Sequence, residues 1–173
     1  MDSLVSDAYA QWLGAALTSP FAVSSAPVRV RCGTVFDAVS CTRDLAERAL
    51  RLLELREAVR GPAVVFPLLG RAAVLVPAGT KASWERLLAN AGWPPRHLPP
   101  VCLGATDTLR MPAVARAPAR SATGATVRAD TFVAWLCEPQ VHGAPPPLTS
   151  AVALARCLTE ALATQHAQEK EPR

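Results

Sequence analysis

The chain has 173 residues, of which half are hydrophobic and 18% charged, and its formal net charge is +4. That length supplies one core rather than two, and that apolar content excludes wholesale disorder, which needs low hydrophobicity and high net charge. Sixteen of the 18 basic residues are arginine, with only Lys81 and Lys170 as lysine, and there are 16 prolines; this bias looks like GC-rich coding, so basicity becomes a binding signal only where it is localised.

Ser6 or Asp7 can cap a first helix on which Tyr9, Trp12, Leu13 and Ala16 recur at i, i+3, i+4 and i+7, and Pro20 stops it. Residues 28–32 alternate at period two, as a strand with one wet face does, and a second β-prone run covers 34–39 after Gly33. Thr42 opens the clearest helix. Leu45, Ala49, Leu52 and Leu53 form one face, the pairs Arg43/Glu47, Asp44/Arg48 and Glu47/Arg51 form the other, and Gly61 is the predicted end.

The apolar runs 63–69 and 72–76 flank Gly70-Arg71, predicting a hairpin in mid-sheet, with Pro67 requiring an edge position or a bulge. Thr80 is the predicted cap of a helix that turns Trp84, Leu87, Leu88 and Ala91 inward and stops at Gly92. Four prolines between Trp93 and Pro100 make a connector, 101–103 a short strand and 131–137 a last strand. Thr149 or Ser150 caps a final helix with Leu154, Leu158, Ala161 and Leu162 inward. The sum is a single α+β domain over residues 1–165, with a mainly antiparallel sheet and about four helices, followed by a flexible polar tail over 166–173.

Charge is localised in one place. Arg110, Arg116, Arg120 and Arg128 occur with no acidic residue between Asp107 and Asp130, in a stretch padded with Ala, Pro, Ser, Thr and Gly. The planar guanidinium donates bidentately to phosphate, so these four arginines are the candidate nucleic-acid-binding residues. The competing reading is a solubilising loop, and no aromatic is interleaved to stack bases.

The five cysteines, Cys32, Cys41, Cys102, Cys137 and Cys157, are odd in number and lack a C-x-x-C spacing or a histidine at ligand spacing. Reduced, mostly buried thiols are expected, and no zinc site. Asp2 and Asp7 stand where a secretory leader would be basic, and the uncharged stretch from Ala8 to Val28 is interrupted by Gln11, Pro20 and Pro27. A cytoplasmic protein with no membrane association is expected.

Neither G-x-G-x-x-G, G-x-x-x-x-G-K-[ST] nor G-x-S-x-G is present, and His97, His142 and His166 fall in connectors or the tail. The loop 77–81 offers one glycine and one lysine, which reads as an ordinary helix cap. Two-metal chemistry needs carboxylates on alternate strand positions, which share one face. Asp37, in the run 35–39, is the one strand-like acid in an apolar context and the candidate catalytic residue. Its competing reading is a turn or helix-preceding aspartate making local hydrogen bonds.

The run Gly33-Thr34-Val35-Phe36-Asp37-Ala38-Val39, the helix from Ala46 to Leu53, then Gly61-Pro62-Ala63-Val64, Gly70-Arg71 and Leu75-Val76-Pro77-Ala78-Gly79-Thr80 with Trp84 and Leu87-Leu88 form a familiar pattern. With Cys102-Leu103-Gly104, Pro112 and Val133-Ala134-Trp135-Leu136 before Pro139, it resembles small actinobacterial proteins related to the N-terminal domain of bifunctional DNA primase-polymerases, over roughly Thr34 to Leu162. The resemblance implies a site built from an acidic pair on a strand, a histidine in an S-x-H-like setting and a third acid. Asp37 stands where the first acid would, but Val39 occupies the position two residues on, and no S-x-H occurs.

The implied protein is a primase-polymerase-like shell whose metal carboxylates are gone: a catalytically degenerate domain, not an enzyme, that binds nucleic acid or nucleotide, with DNA or RNA as partner and no cofactor. Surviving catalysis would be metal-dependent nucleotidyl transfer with Mg2+ or Mn2+, and would need Asp37 to meet Asp107 or Asp130. The alternative is a small regulatory module that docks on a protein partner or on a second copy of itself.

Overall fold

The computed structural model describes residues 11–14, 16, 27–112, 132–139 and 145–169. Its elements are β1 (Val28–Arg31), β2 (Phe36–Thr42), α1 (Arg43–Leu55), β3 (Ala63–Phe66), β4 (Arg71–Pro77), α2 (Trp84–Asn90), β5 (Val101–Leu103), β6 (Thr108–Met111), β7 (Ala134–Cys137) and α3 (Ala151–Glu169). Five strands form one sheet in the order β5-β2-β4-β3-β7, and β1 and β6 form a separate two-stranded ribbon. Every neighbouring pair is antiparallel, so the chain is the α+β domain that its sequence predicts.

Both faces of the large sheet are covered, and this explains why its central strands read as continuous apolar runs rather than alternations. Strand β4 sends Ala72, Val74 and Val76 into one core and Ala73 and Leu75 into the other. On the first face lie Leu45, Ala49 and Leu53 of α1, Leu154, Leu158 and Ala161 of α3, and Trp84 and Leu88 of α2. The second face is closed by Val28 and Val30 of β1, Leu109 and Met111 of β6, and Trp12, Leu13 and Ala16. Trp12 meets Phe36 with ring centroids 5.7 Å apart, a separation within the favourable range for aromatic pairs. No described helix is long and apolar enough to cross a membrane.

Several boundaries differ from the sequence expectation. Helix α1 stops at Leu55 rather than at Gly61; Glu57 takes the left-handed conformation, φ 53°, and the Ala58 amide closes on the Leu53 carbonyl at 2.9 Å. Gly61 instead docks the chain before α3, where an added Cβ would lie 2.5 Å from the Thr149 nitrogen. Pro67 sits neither at an edge nor in a bulge: β3 ends at Phe66, and Pro67 opens a 3-10 turn over Pro67–Leu69, outside the ladder. Thr80 likewise opens a 3-10 turn, Thr80–Ala82, before α2 begins at Trp84. Gly92 does end α2, with φ 81°. Of the three expected ion pairs along α1, Arg43–Glu47 is present at 2.7 Å. Helix α3 continues past Gln165 to Glu169.

Candidate functional site

The ribbon has one wet and one dry face. Along β1, Val28 and Val30 are buried while Arg29 and Arg31 are exposed; along β6, Leu109 and Met111 are buried while Thr108 and Arg110 are exposed. The register sets Arg29 opposite Arg110 and Arg31 opposite Thr108. Opposed Cα atoms of an antiparallel pair lie about 4.5–5.5 Å apart, and alternate residues along a strand about 6.6–6.8 Å apart. Three guanidinium groups therefore share one small solvent face. Neither β1 nor β6 contains an acidic residue; Asp107 directly precedes β6, its carboxylate held by Lys81 and the Gly104 amide, and Asp37 is buried on β2.

Arg110 was expected on a loop; it lies on β6, one residue before the strand ends at Met111. Arg116, Arg120 and Arg128 lie outside the described residues. In sequence, Arg29 and Arg31 mark a strand's wet face and carry no binding signature of their own. The signal was their alternation, incomplete until the partner strand, itself carrying an arginine, was paired with it.

Asp37 is on β2, on the side facing the helices with Val39 and Cys41, and is 1% exposed. Its Oδ2 accepts the Lys81 backbone N–H at 2.8 Å, while Oδ1 is buried with no hydrogen-bond partner. The local-hydrogen-bond reading is thus corrected: the aspartate is in mid-sheet and its donor comes from 44 residues away. Gly79, φ 86°, starts the 3-10 turn that aims this amide.

The Lys81 side chain points elsewhere. Its Nζ donates to Asp107 Oδ2 at 2.7 Å, and the Gly104 N–H donates to the same oxygen at 2.8 Å. Hydrogen bonding to Lys81, then to Gly104, holds the Asp107 carboxyl below the usual carboxylate range, and Asp107 in turn raises Lys81. Burial, seconded by the Asp37 charge, pushes the thiols of Cys32 up to about 11 and of Cys102 up to about 12. Neither is a thiolate nucleophile near neutral pH. All five cysteines are free, four of them buried.

These residues do not fit the metal that the primase-polymerase resemblance implies. Val39 holds the second carboxylate position, one Asp107 oxygen is taken by an ammonium and an amide, and Asp130 lies outside the described residues. Among the described residues, no group of three or more His, Cys, Asp or Glu side chains is placed to hold a metal ion.

Two grooves open on the helical side. One, of about 560 Å³, lies between α1 and α3 and is lined by Asp44, Glu47, Arg48, Arg51, Leu52, Leu55, Ala161 and Thr164. The other, of about 460 Å³, runs beside the edge strand β5 past Lys81, Trp84, Leu88, Trp93 and Val101. No family model matches this chain, and neither a curated protein nor a solved structure is detectably similar to it.

Proposed function

We propose that this chain is a nucleic-acid-binding module, a primase-polymerase-like shell without metal carboxylates, that grips phosphate through the arginines of the β1–β6 ribbon. The observation that carries this reading is the side-by-side exposure of Arg29, Arg31 and Arg110 on one face. Guanidinium forks match phosphate oxygens, and each neutralised phosphate releases counterions. Arg116, Arg120 and Arg128 follow β6 in an acid-free stretch of the sequence. A nucleotide would be held through its phosphates by the same groups.

The test is fluorescence anisotropy of labelled DNA and RNA across a salt series. Affinity is expected to fall linearly on a log–log plot, with a slope of about −0.9 per neutralised phosphate on duplex DNA. Absence of binding at low salt overturns the reading.

A second reading, a module that docks on a protein or on its own copy, is favoured by the apolar surface beside β5. Leu98 is 94% exposed and Val101 is 54% exposed, next to the groove that Trp93 lines. Sedimentation velocity that finds only monomer, together with no partner recovered from extract, removes it.

A further inference from the structure

We infer that the β1–β6 ribbon is a reader of the major groove of B-form duplex DNA, with Arg110 donating to a guanine edge while Arg29 and Arg31 hold the flanking phosphates. This deepens the nucleic-acid reading above and rests on it.

Three observations select the duplex. First, the ribbon is a two-stranded antiparallel unit apart from the five-stranded sheet. A B-DNA major groove, about 12 Å wide and about 8.5 Å deep, admits a two-stranded β-ribbon, whose strands stand about 4.8 Å apart. Second, the inner face is anchored. Val28, Val30, Leu109 and Met111 are each at most 5% exposed, so the outer face is held rigidly on the core instead of hanging from a loop, as base readout requires.

Third, the outer face consists of Arg29, Arg31, Thr108 and Arg110. Arginine bidentate to guanine O6 and N7 is the commonest specific contact in the major groove, and threonine can approach a thymine methyl. None of the four is aromatic, so the face lacks the stacking platform that holds single strands. A-form RNA has a major groove too deep and narrow for side chains to read.

The experiment measures anisotropy of the full chain on four probes of one G·C-containing sequence: duplex DNA, its single strand, duplex RNA, and duplex DNA carrying 7-deazaguanine. The modified base removes the N7 acceptor from the major groove and leaves the phosphates unchanged. The expected result is tightest binding to unmodified duplex DNA, with 7-deazaguanine and Arg110→Ala each weakening it by about tenfold. Arg86→Ala is the charge control, because Arg86 lies on α2, whose Trp84 and Leu88 pack on the opposite face of the sheet; binding is expected to survive it.

Equal or tighter binding to single-stranded DNA or duplex RNA overturns the inference and leaves the nucleic-acid reading standing. So does indifference to 7-deazaguanine. No binding to any probe overturns both.

Discussion

Arg29 and Arg110 occupy directly opposed positions on β1 and β6, and both are exposed. Like charges directly opposite each other in a sheet destabilise it, on a scale of about 0.2–1 kcal/mol. Threonine favours strands, so Arg110→Thr is expected to raise the urea midpoint slightly while weakening nucleic-acid binding. The two effects have opposite signs, which marks a residue kept for binding. A variant that loses both stability and binding would show that Arg110 serves the fold.

Asp37 has one satisfied and one orphaned oxygen in a buried setting. Asp37→Ala removes the acceptor for the Lys81 amide and is expected to cost about 1–3 kcal/mol. Asp37→Asn keeps an acceptor and removes the buried charge, so chemical denaturation is expected to find it close to wild type. A metal reading makes a different claim: Mn2+ would raise the melting temperature of wild type and not of Asp37→Asn. No such shift is expected, since Lys81 Nζ occupies a carboxylate oxygen of Asp107, the described acid that would have to pair with Asp37.

Local burial explains what could be read from sequence. The 3.6-residue periodicity of α1 and the inward stripe of α3 follow from helices lying on one face of a sheet, and residues 72–76 are apolar because both faces of β4 are covered. Strand β6 was not legible. It has four residues, two of them buried, and it pairs with a strand about eighty positions earlier, Met111 opposite Val28. Asp37 was legible as an unusual residue type, but its partner Lys81 is set by chain closure, which no local pattern encodes. The end of α1 departs from the Gly61 expectation because Glu57, a residue without a helix-stop signature, takes the left-handed position.

That position yields a direct test. A non-glycine residue in the left-handed region carries a steric cost that glycine does not. Glu57→Gly is expected to stabilise the fold by up to about 1 kcal/mol, seen as a higher urea midpoint with unchanged slope. Destabilisation would mean that the Glu57 side chain contributes more than its backbone strain costs.

The Lys81–Asp107 pair ties the turn after β4 to the loop between β5 and β6, with side chains 48% and 33% exposed. The lowered Asp107 contributes stability above its unfolded value, about 3.9, which is lost as pH falls through its folded value. The raised Lys81 contributes below about 10.4, lost as pH rises through its folded value. The stability difference between wild type and Asp107→Asn should therefore be flat between about pH 5 and 9 and shrink on both sides. Solvent screening keeps it small and reduces it further in high salt. A difference that persists unchanged at low pH would assign the effect to packing.

Thr149 is fully buried, and its Oγ1 accepts the Gly61 N–H at 2.8 Å while its own amide reaches the Leu75 carbonyl at 3.2 Å. These bonds fasten the segment before α3 to the end of α1's return loop and to β4, which leaves Ser150 to cap α3 through the Ala153 amide. Thr149→Val preserves volume but strands the Gly61 donor, at an expected cost of about 1–3 kcal/mol, or a melting temperature lower by about 2–4 °C per kcal/mol at this size. Thr149→Ser keeps the acceptor and should recover most of the loss. Gly61→Ala should be the more damaging change, because its new Cβ would meet the Thr149 nitrogen and the Leu148 backbone within 3 Å, and no flexible side chain there can yield. If valine were tolerated as well as serine, the buried hydrogen bond would be contributing nothing, and shape alone would hold α3 to the sheet.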